Sequence, residues 1–367
     1  MQEKLRSVVL IYPIFFFCWE IFSNGDPMHN CFSLSFIHTV FFKMFFGSML
    51  TTTTANTLAG DSSKSNWILS GHEGDVLGLS VLSANIFASC DINGVGLVWD
   101  TRGDTVDNVC KFSSGGPPML QMSFLSHTEL VCAQGNGSCV VYNIERGVRS
   151  GGYSRLSDEA RVAWPVMNAV KQLDRHSFLT GGDEGYLLAF DTRQSGALSS
   201  INIRTPITSI GTADEYVFVG DACGDMHWFD KRTNKKVTVL PLCKSPITTI
   251  NRFSNTEVVF LSRKMVGTVD IQPFALDDAH RLTTHAGVDI DEDCRLPRCC
   301  TVEKTKSVHV PSQNGKVQTL WREGGTFSSS VRRISDTAEE CTHVVEQMQN
   351  GKYLLCAGGN RLRMFEV

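Results

Sequence analysis

Residues 71–102, GHEGDVLGLSVLSANIFASCDINGVGLVWDTR, open on a Gly-His pair, close on a Trp-Asp pair followed by Thr-Arg, and carry two alternating apolar runs between. Alternation with a period of two puts every second side chain on the same face of a strand. A unit this short cannot cover those faces by itself and has to stack against similar units. The rest of the chain must therefore supply them.

A series of equivalent endings follows: Trp99-Asp100, Tyr142-Asn143, Phe190-Asp191, Phe229-Asp230, Val269-Asp270, Trp321-Arg322 and Phe365-Glu366, at intervals of 43, 48, 39, 40, 52 and 44 residues. Four short strands and their turns occupy about 40 to 45 residues in a radial array of sheets. A second series has the same register: Pro118, Pro165, Pro206 and Pro246 each stand 24 to 26 residues ahead of their ending and precede an apolar residue. Proline fixes φ and lacks a backbone donor, so it suits the start of a strand rather than its middle. Alternating runs such as Tyr216–Val219 and Tyr186–Phe190 lie between these markers, and no long 3.6-residue periodicity occurs after about residue 62. The expectation is an all-β chain, a seven-bladed propeller over 62–367.

The last run, Arg363–Val367, is one strand short of a complete unit. Ser65-Asn66-Trp67-Ile68-Leu69 is expected to supply the missing strand, because closing the ring removes an exposed sheet edge. Residues 1–61 are then an extension outside the propeller. Its first fifty residues hold ten of the 22 phenylalanines in two windows, Val8 to Phe22 and Cys31 to Phe46. Pro13 and Glu20 interrupt one window and His38 and Lys43 the other, so neither gives the ~20 clean apolar residues of a membrane helix. Lys4 and Arg6 supply a charged start, yet no small-x-small cleavage site follows. Met49 is read as the biological start and 1–48 as upstream sequence read in frame; a membrane or targeting segment and a disordered extension are the alternatives.

The formal net charge is −4 with both signs scattered, which does not provide the basic surface of unaided nucleic-acid binding. Thirteen cysteines occur, an odd number, mostly singly and several in expected strands, such as Cys90, Cys132 and Cys356. That pattern fits buried thiols in a reducing compartment better than a disulfide framework. Cys294 with Cys299-Cys300 lacks a second Cys-x-x-Cys or a following His pair, so it is read as structural thiols rather than a metal site. Asn136-Gly137-Ser138 is formally a glycosylation sequon, but Asn-Gly here suits a turn between strands.

Catalytic motifs are missing from the sequence. It contains no G-x-S-x-G and no H-E-x-x-H, and Gly315-Lys316 and Gly351-Lys352 lack the spacing of a phosphate loop. Asp183, Glu184, Asp221 and Asp225 fall at turns, where acids cap backbone donors. Asp289, Asp291, Glu292 and Asp293 form an acidic run in the longest interval, a solvated loop of the sort that also carries binding function. The expectation is a chain without catalytic residues, cofactor or metal.

His72, Ser89 and Trp99, with Asn93 in the place of an aspartate, resemble the structural hydrogen-bond tetrad of the WD-repeat family. No other unit keeps the Gly-His pair, so packing of Phe190, Phe229, Trp321 and Phe365 is expected to carry the other six. Within that family, Val269-Asp270-Ile271-Gln272-Pro273-Phe274-Ala275 and the loop ending Leu296-Pro297-Arg298-Cys299-Cys300 are similar to the branch found in the U5 small nuclear ribonucleoprotein. That branch has Trp and Arg where this chain has Val269 and Gln272. Leu69–Val76 and Leu362–Val367 also look like its first repeat and its terminus. The resemblance implies a WD-repeat propeller closed by an N-terminal strand and acting as a noncatalytic nuclear scaffold. It would bind the large U5 proteins in pre-mRNA splicing, with RNA contact indirect. Membrane association would arise only through the N-terminal segment.

Arg102, Arg193 and Arg232, two residues beyond Asp100, Asp191 and Asp230, also resemble the WD-x-R box of propellers that serve as substrate receptors of cullin-based ubiquitin ligases. Arginine at that offset is equally a surface ion-pair residue. Another WD-repeat assembly scaffold is a third reading. The loops leading into the first strand of each unit share one face of the ring, and they carry Glu73, Asp75, Arg161, Trp164, Arg204 and Lys244 as a candidate partner-binding set. Trp164 is the leading anchor, since aromatics and arginines dominate interface energetics. Arg332-Arg333-Ile334-Ser335 has the form of a basophilic kinase site.

Overall fold

Seven four-stranded antiparallel sheets account for all twenty-eight strands among the described residues. The computed structural model describes residues 67–103, 105–154, 165–272, 281–290, 294, 296–302, 304–323, 326–333, 341–348 and 351–366. They belong to one unit, Ala59–Val367. Residues 1–61, including Met49, and Pro273, Phe274, Ala275, Asp291, Glu292, Asp293, Ile334 and Ser335 lie outside the described residues.

Blade 1 comprises Val76–Val81, Ile86–Asp91, Val95–Asp100 and Asp107–Ser113, from the ring's axis outwards. Blades 2 to 6 begin at Met119, Met167, Ile207, Ile247 and Cys300. Blade 7 is Val344–Gln347, Tyr353–Gly358 and Arg361–Glu366, completed on its outer edge by Trp67–Leu69. That strand pairs antiparallel with Arg361–Glu366 in the register Trp67↔Met364, Ile68↔Arg363, Leu69↔Leu362. Trp67 also meets Tyr353 edge-on at 5.5 Å. The two ends of the propeller are thereby sewn into one sheet, as expected from the short final unit.

Burial explains the sequence pattern. In each blade the second strand is almost wholly buried, as in Glu129–Gln134, because neighbouring blades cover both of its faces. The outermost strands are mostly solvent-facing, as in Asp107–Ser113 and Ala197–Asn202. Seven apolar layers fill the seven gaps between adjacent blades among the described residues. The layer between blades 1 and 2 sets Ala88, Cys90, Val98 and Phe112 against Met119, Met122, Leu130 and Tyr142. Buried thiols such as Cys90, Cys132 and Cys356 are members of these layers, as the sequence implies.

The proline markers stand where expected: Pro118, Pro206 and Pro246 immediately precede their blades' first strands, and Pro165 lies two residues before Met167. The endings close the third strand in blades 1 to 5 and 7. Blade 6 differs. Trp321 is half-buried and donates its indole N–H to Glu323 Oε1 at 2.8 Å, so it is not a core aromatic; Leu320, 1% exposed, takes the inward place. The cause is register: Trp99 stands five residues beyond the turn glycine Gly94, and Leu320 stands five beyond Gly315. Side chains one residue apart on a strand point to opposite faces. Phe190, Phe229 and Phe365 are buried.

Candidate functional site

The loops that lead into the first strands share one rim of the ring with the turns linking second to third strands. In blade 1 the two are tied together. His72, in the lead-in loop, lies 2.8 Å from Asp91 through Nδ1 and 2.7 Å from Ser89 Oγ through Nε2, and Trp99 Nε1 donates to Ser89 Oγ at 2.8 Å. A carboxylate only accepts, so Nδ1 donates to Asp91, while Nε2 shares a hydrogen bond with the hydroxyl that also accepts from Trp99. All four side chains are buried.

The carboxylate in this network is Asp91, not Asn93. Asp91 ends the second strand and faces inward, whereas Asn93 sits in the turn, where its backbone N–H donates to Asp91 Oδ1 at 3.0 Å. Asp91 Oδ1 also accepts from Val95 N at 2.9 Å. One side chain thus shapes the turn and holds the lead-in loop.

Blade 4 repeats the device with different parts, which sequence inspection missed. Asp221 ends its second strand and accepts from the Thr205 hydroxyl in the lead-in loop at 2.7 Å and from His227 Nε2 at 3.0 Å. Its other oxygen accepts from Cys223 N and Asp225 N, both at 2.9 Å. Burial opposes the charge, but the hydrogen bonds from His227, Thr205 and the Asp225 amide hold the carboxyl below the usual carboxylate range. Here the histidine comes from the third strand rather than the lead-in loop, so no Gly-His pair marks it. A signal was present: Asp91-Ile-Asn-Gly94 and Asp221-Ala-Cys-Gly224 place the aspartate three residues before a glycine, and those glycines have φ of +73° and +93°, a conformation that suits glycine.

These anchors position the neighbouring rim residues. Glu73 and Asp75 follow His72 closely, and exposed Arg204, with φ +73°, precedes Thr205. Exposed Lys244 lies between Cys243, whose amide donates to Gly224 O at 3.2 Å, and Ser245. The described members of the set thus stand on the same rim in blades 1, 4 and 5. Arg161 and Trp164 lie outside the described residues.

On the opposite rim, Arg102 pairs with Asp100, Arg193 with Asp191 at 2.6 Å, and Arg232 with Glu215 at 3.7 Å. All three arginine side chains are about two-thirds exposed or more.

Toward that same rim the inner strands enclose a cavity of about 840 Å³, lined by Lys171, Arg175, Arg298 and Glu346 among hydroxyl and amide side chains such as Ser123 and Asn251. Burial pushes Glu346 up to about 7 against the lowering pull of Lys171 and Arg298, and it brings Arg298 down to about 10. Cys299 also lines the cavity, but burial pushes its thiol up to about 12; it remains protonated and a poor nucleophile at neutral pH. Among the described residues, Cys294, Cys341 and His343 form a group able to hold a metal ion, with ligand atoms within 4.8 Å of one another. No described helix is long and apolar enough to cross a membrane.

Neither a model of a known protein family nor a curated protein sequence matches the chain. The seven-bladed architecture nevertheless holds in blades that lack a Gly-His pair, because interblade layers accept any apolar residues that fill the gap.

Proposed function

We propose that the chain is a noncatalytic protein-interaction scaffold in a multi-subunit complex, and that the complex is the U5 small nuclear ribonucleoprotein. On this reading the chain binds the large U5 proteins in the nucleus and supports pre-mRNA splicing, reaching RNA through them. The observation that supports the scaffold reading is the preorganised rim: the buried Asp91 and Asp221 networks fix the lead-in loops that present Glu73 and Arg204. Loops held in place before binding lose less conformational entropy on docking. The likeness of Val269–Ala275 and Leu362–Val367 to the U5 branch, together with a net charge of −4, supports the finer assignment.

Affinity purification from native cells tests it, with the tag in an interblade loop so that both strands of the closing sheet stay free. Recovery of the large U5 proteins is the expected result. Recovery of a cullin adaptor in their place, lost on Arg102→Ala and Arg193→Ala, would establish the receptor reading. That second reading draws on the exposure of Arg102, Arg193 and Arg232 on the other rim; their pairing with nearby acids makes them self-satisfied surface groups instead.

A further inference from the structure

Cys294 belongs to the longest interblade interval, between blades 5 and 6, and Cys341-Thr342-His343 stands immediately before the first strand of blade 7, Val344–Gln347. The fold brings these separated segments together. The ligand atoms of Cys294, Cys341 and His343 all lie within 4.8 Å of one another, with Cys341 Sγ 3.9 Å from His343 Nδ1. A tetrahedral zinc with Zn–S of about 2.3 Å and Zn–N of about 2.0 Å needs edges of about 3.5–3.8 Å. Closing the longest edge thus takes a shift of about 1 Å.

The main chain holds the segments in place independently of any ligand. Arg298 N donates to His343 O at 2.9 Å, and Val345 N donates to Arg298 O at 3.0 Å, a parallel bridge between the loop ahead of blade 6 and the start of blade 7. His343 N is bonded in turn to Ala357 O at 2.8 Å. Next along that strand, Gly358 packs against Cys341 so closely that a Cβ there would sit 1.9 Å from the Cys341 carbonyl oxygen. Cys294 is buried, whereas Cys341 and His343 are half-buried, which leaves a side open for a metal to enter.

We propose that Cys294, Cys341 and His343 bind one zinc ion, which clamps the loop ahead of blade 6 to the segment ahead of blade 7. Binding converts two thiols to thiolates and releases their two protons to solvent. With a neutral imidazole, the dication and two thiolates have no net charge, so the partly buried site carries little desolvation cost. Among the described residues no fourth side chain joins the group, so the remaining position is open to water. Mixed sulfur and nitrogen ligands in this number select zinc over oxygen-seeking cations. The site is independent of which complex the propeller joins.

The test uses the full chain purified under reducing conditions in the presence of zinc, desalted, and analysed for metal by mass spectrometry. One zinc per chain is expected. Cys294→Ser and His343→Ala should each lower the content at least tenfold, while Cys139→Ser, in the layer between blades 2 and 3, retains it. Cobalt added to the metal-free protein should give tetrahedral d–d bands and a thiolate charge-transfer band. The latter should weaken in Cys294→Ser and strengthen in His343→Cys, a variant that keeps three ligands and guards against simple misfolding. Folded wild-type chain that takes up neither ion overturns the proposal. So does zinc retained at full content in both Cys294→Ser and His343→Ala, or a Cys294–Cys341 disulfide that regains no metal once reduced.

Discussion

The imidazole of His72 and the carboxylate of Asp91 lie 2.8 Å apart with both side chains shut off from solvent. They join a lead-in loop to the turn at the end of the second strand. Removing the acid leaves a buried imidazole N–H and two backbone donors, those of Asn93 and Val95, without their acceptor. Asp91→Ala should cost about 3 kcal/mol or more, the range for breaking a buried, multiply bonded polar group. Asn93→Ala should cost less than about 1 kcal/mol. Denaturant midpoints of the two variants measure the difference, and equal losses would contradict the assignment of Asp91.

Ring closure predicts an outcome for truncation. A chain beginning at Ala59 retains Trp67–Leu69, whereas one beginning at Ser70 exposes the backbone edge of Arg361–Glu366 and uncovers Tyr353. The shorter chain should melt at a lower temperature and self-associate, since an unpaired edge is a template for pairing. Light scattering alongside thermal denaturation reads both effects.

Burial brings His309 down to about 4, and Nδ1 lies 2.9 Å from Thr319 Oγ1. An unfolded histidine titrates near 6.5, so between about pH 6.5 and 4 the unfolded state binds more protons and stability falls as pH falls. The loss across that window is on the order of 3 kcal/mol. His309→Gln should flatten this acid limb while leaving the dependence above pH 7 unchanged; urea melts at a series of pH values test it.

Glu346 has the opposite sign. Its carboxyl is raised to about 7 by burial, so the folded state holds a proton that the unfolded state releases near pH 4.3. Stability therefore declines as pH rises from about 4.3 to 7 and the penalty is complete above. Glu346→Gln should raise the melting temperature at pH 8 and leave it nearly unaltered at pH 4. A fall at pH 8 would mean that attraction to Lys171 and Arg298 outweighs the burial cost.

If the rim of lead-in loops captures partners, charge reversal there acts on association rather than folding. Lys244→Glu combined with Arg204→Glu, and separately Trp164→Ala, should weaken recovery of the bound proteins at least tenfold and move the melting temperature by only a few degrees. Pull-down and thermal denaturation on the same preparations separate the effects. A large stability loss with full recovery would place Trp164 in the core.

The blade count, the strand starts at Pro118, Pro206 and Pro246, and the borrowed Trp67–Leu69 strand were legible in the sequence. They depend on local rules: side-chain alternation, proline's missing donor, and the need to close an edge. Trp321 shows where a local rule fails, since a slip of one residue reverses the face and only packing reveals it. Asn93 was a slip of two: the turn glycine was visible, but the partner of His72 is chosen by which side chain points inward.

Hydrophobic periodicity by itself determined that this chain folds as stacked sheets around a ring, because each strand's burial pattern is written in consecutive residues. The His227–Asp221–Thr205 network and the meeting of Cys294 with Cys341 and His343 were decided only by tertiary structure. Their members come from separate strands and loops, and their proximity follows from how the blades pack, a relation that no spacing along the chain encodes.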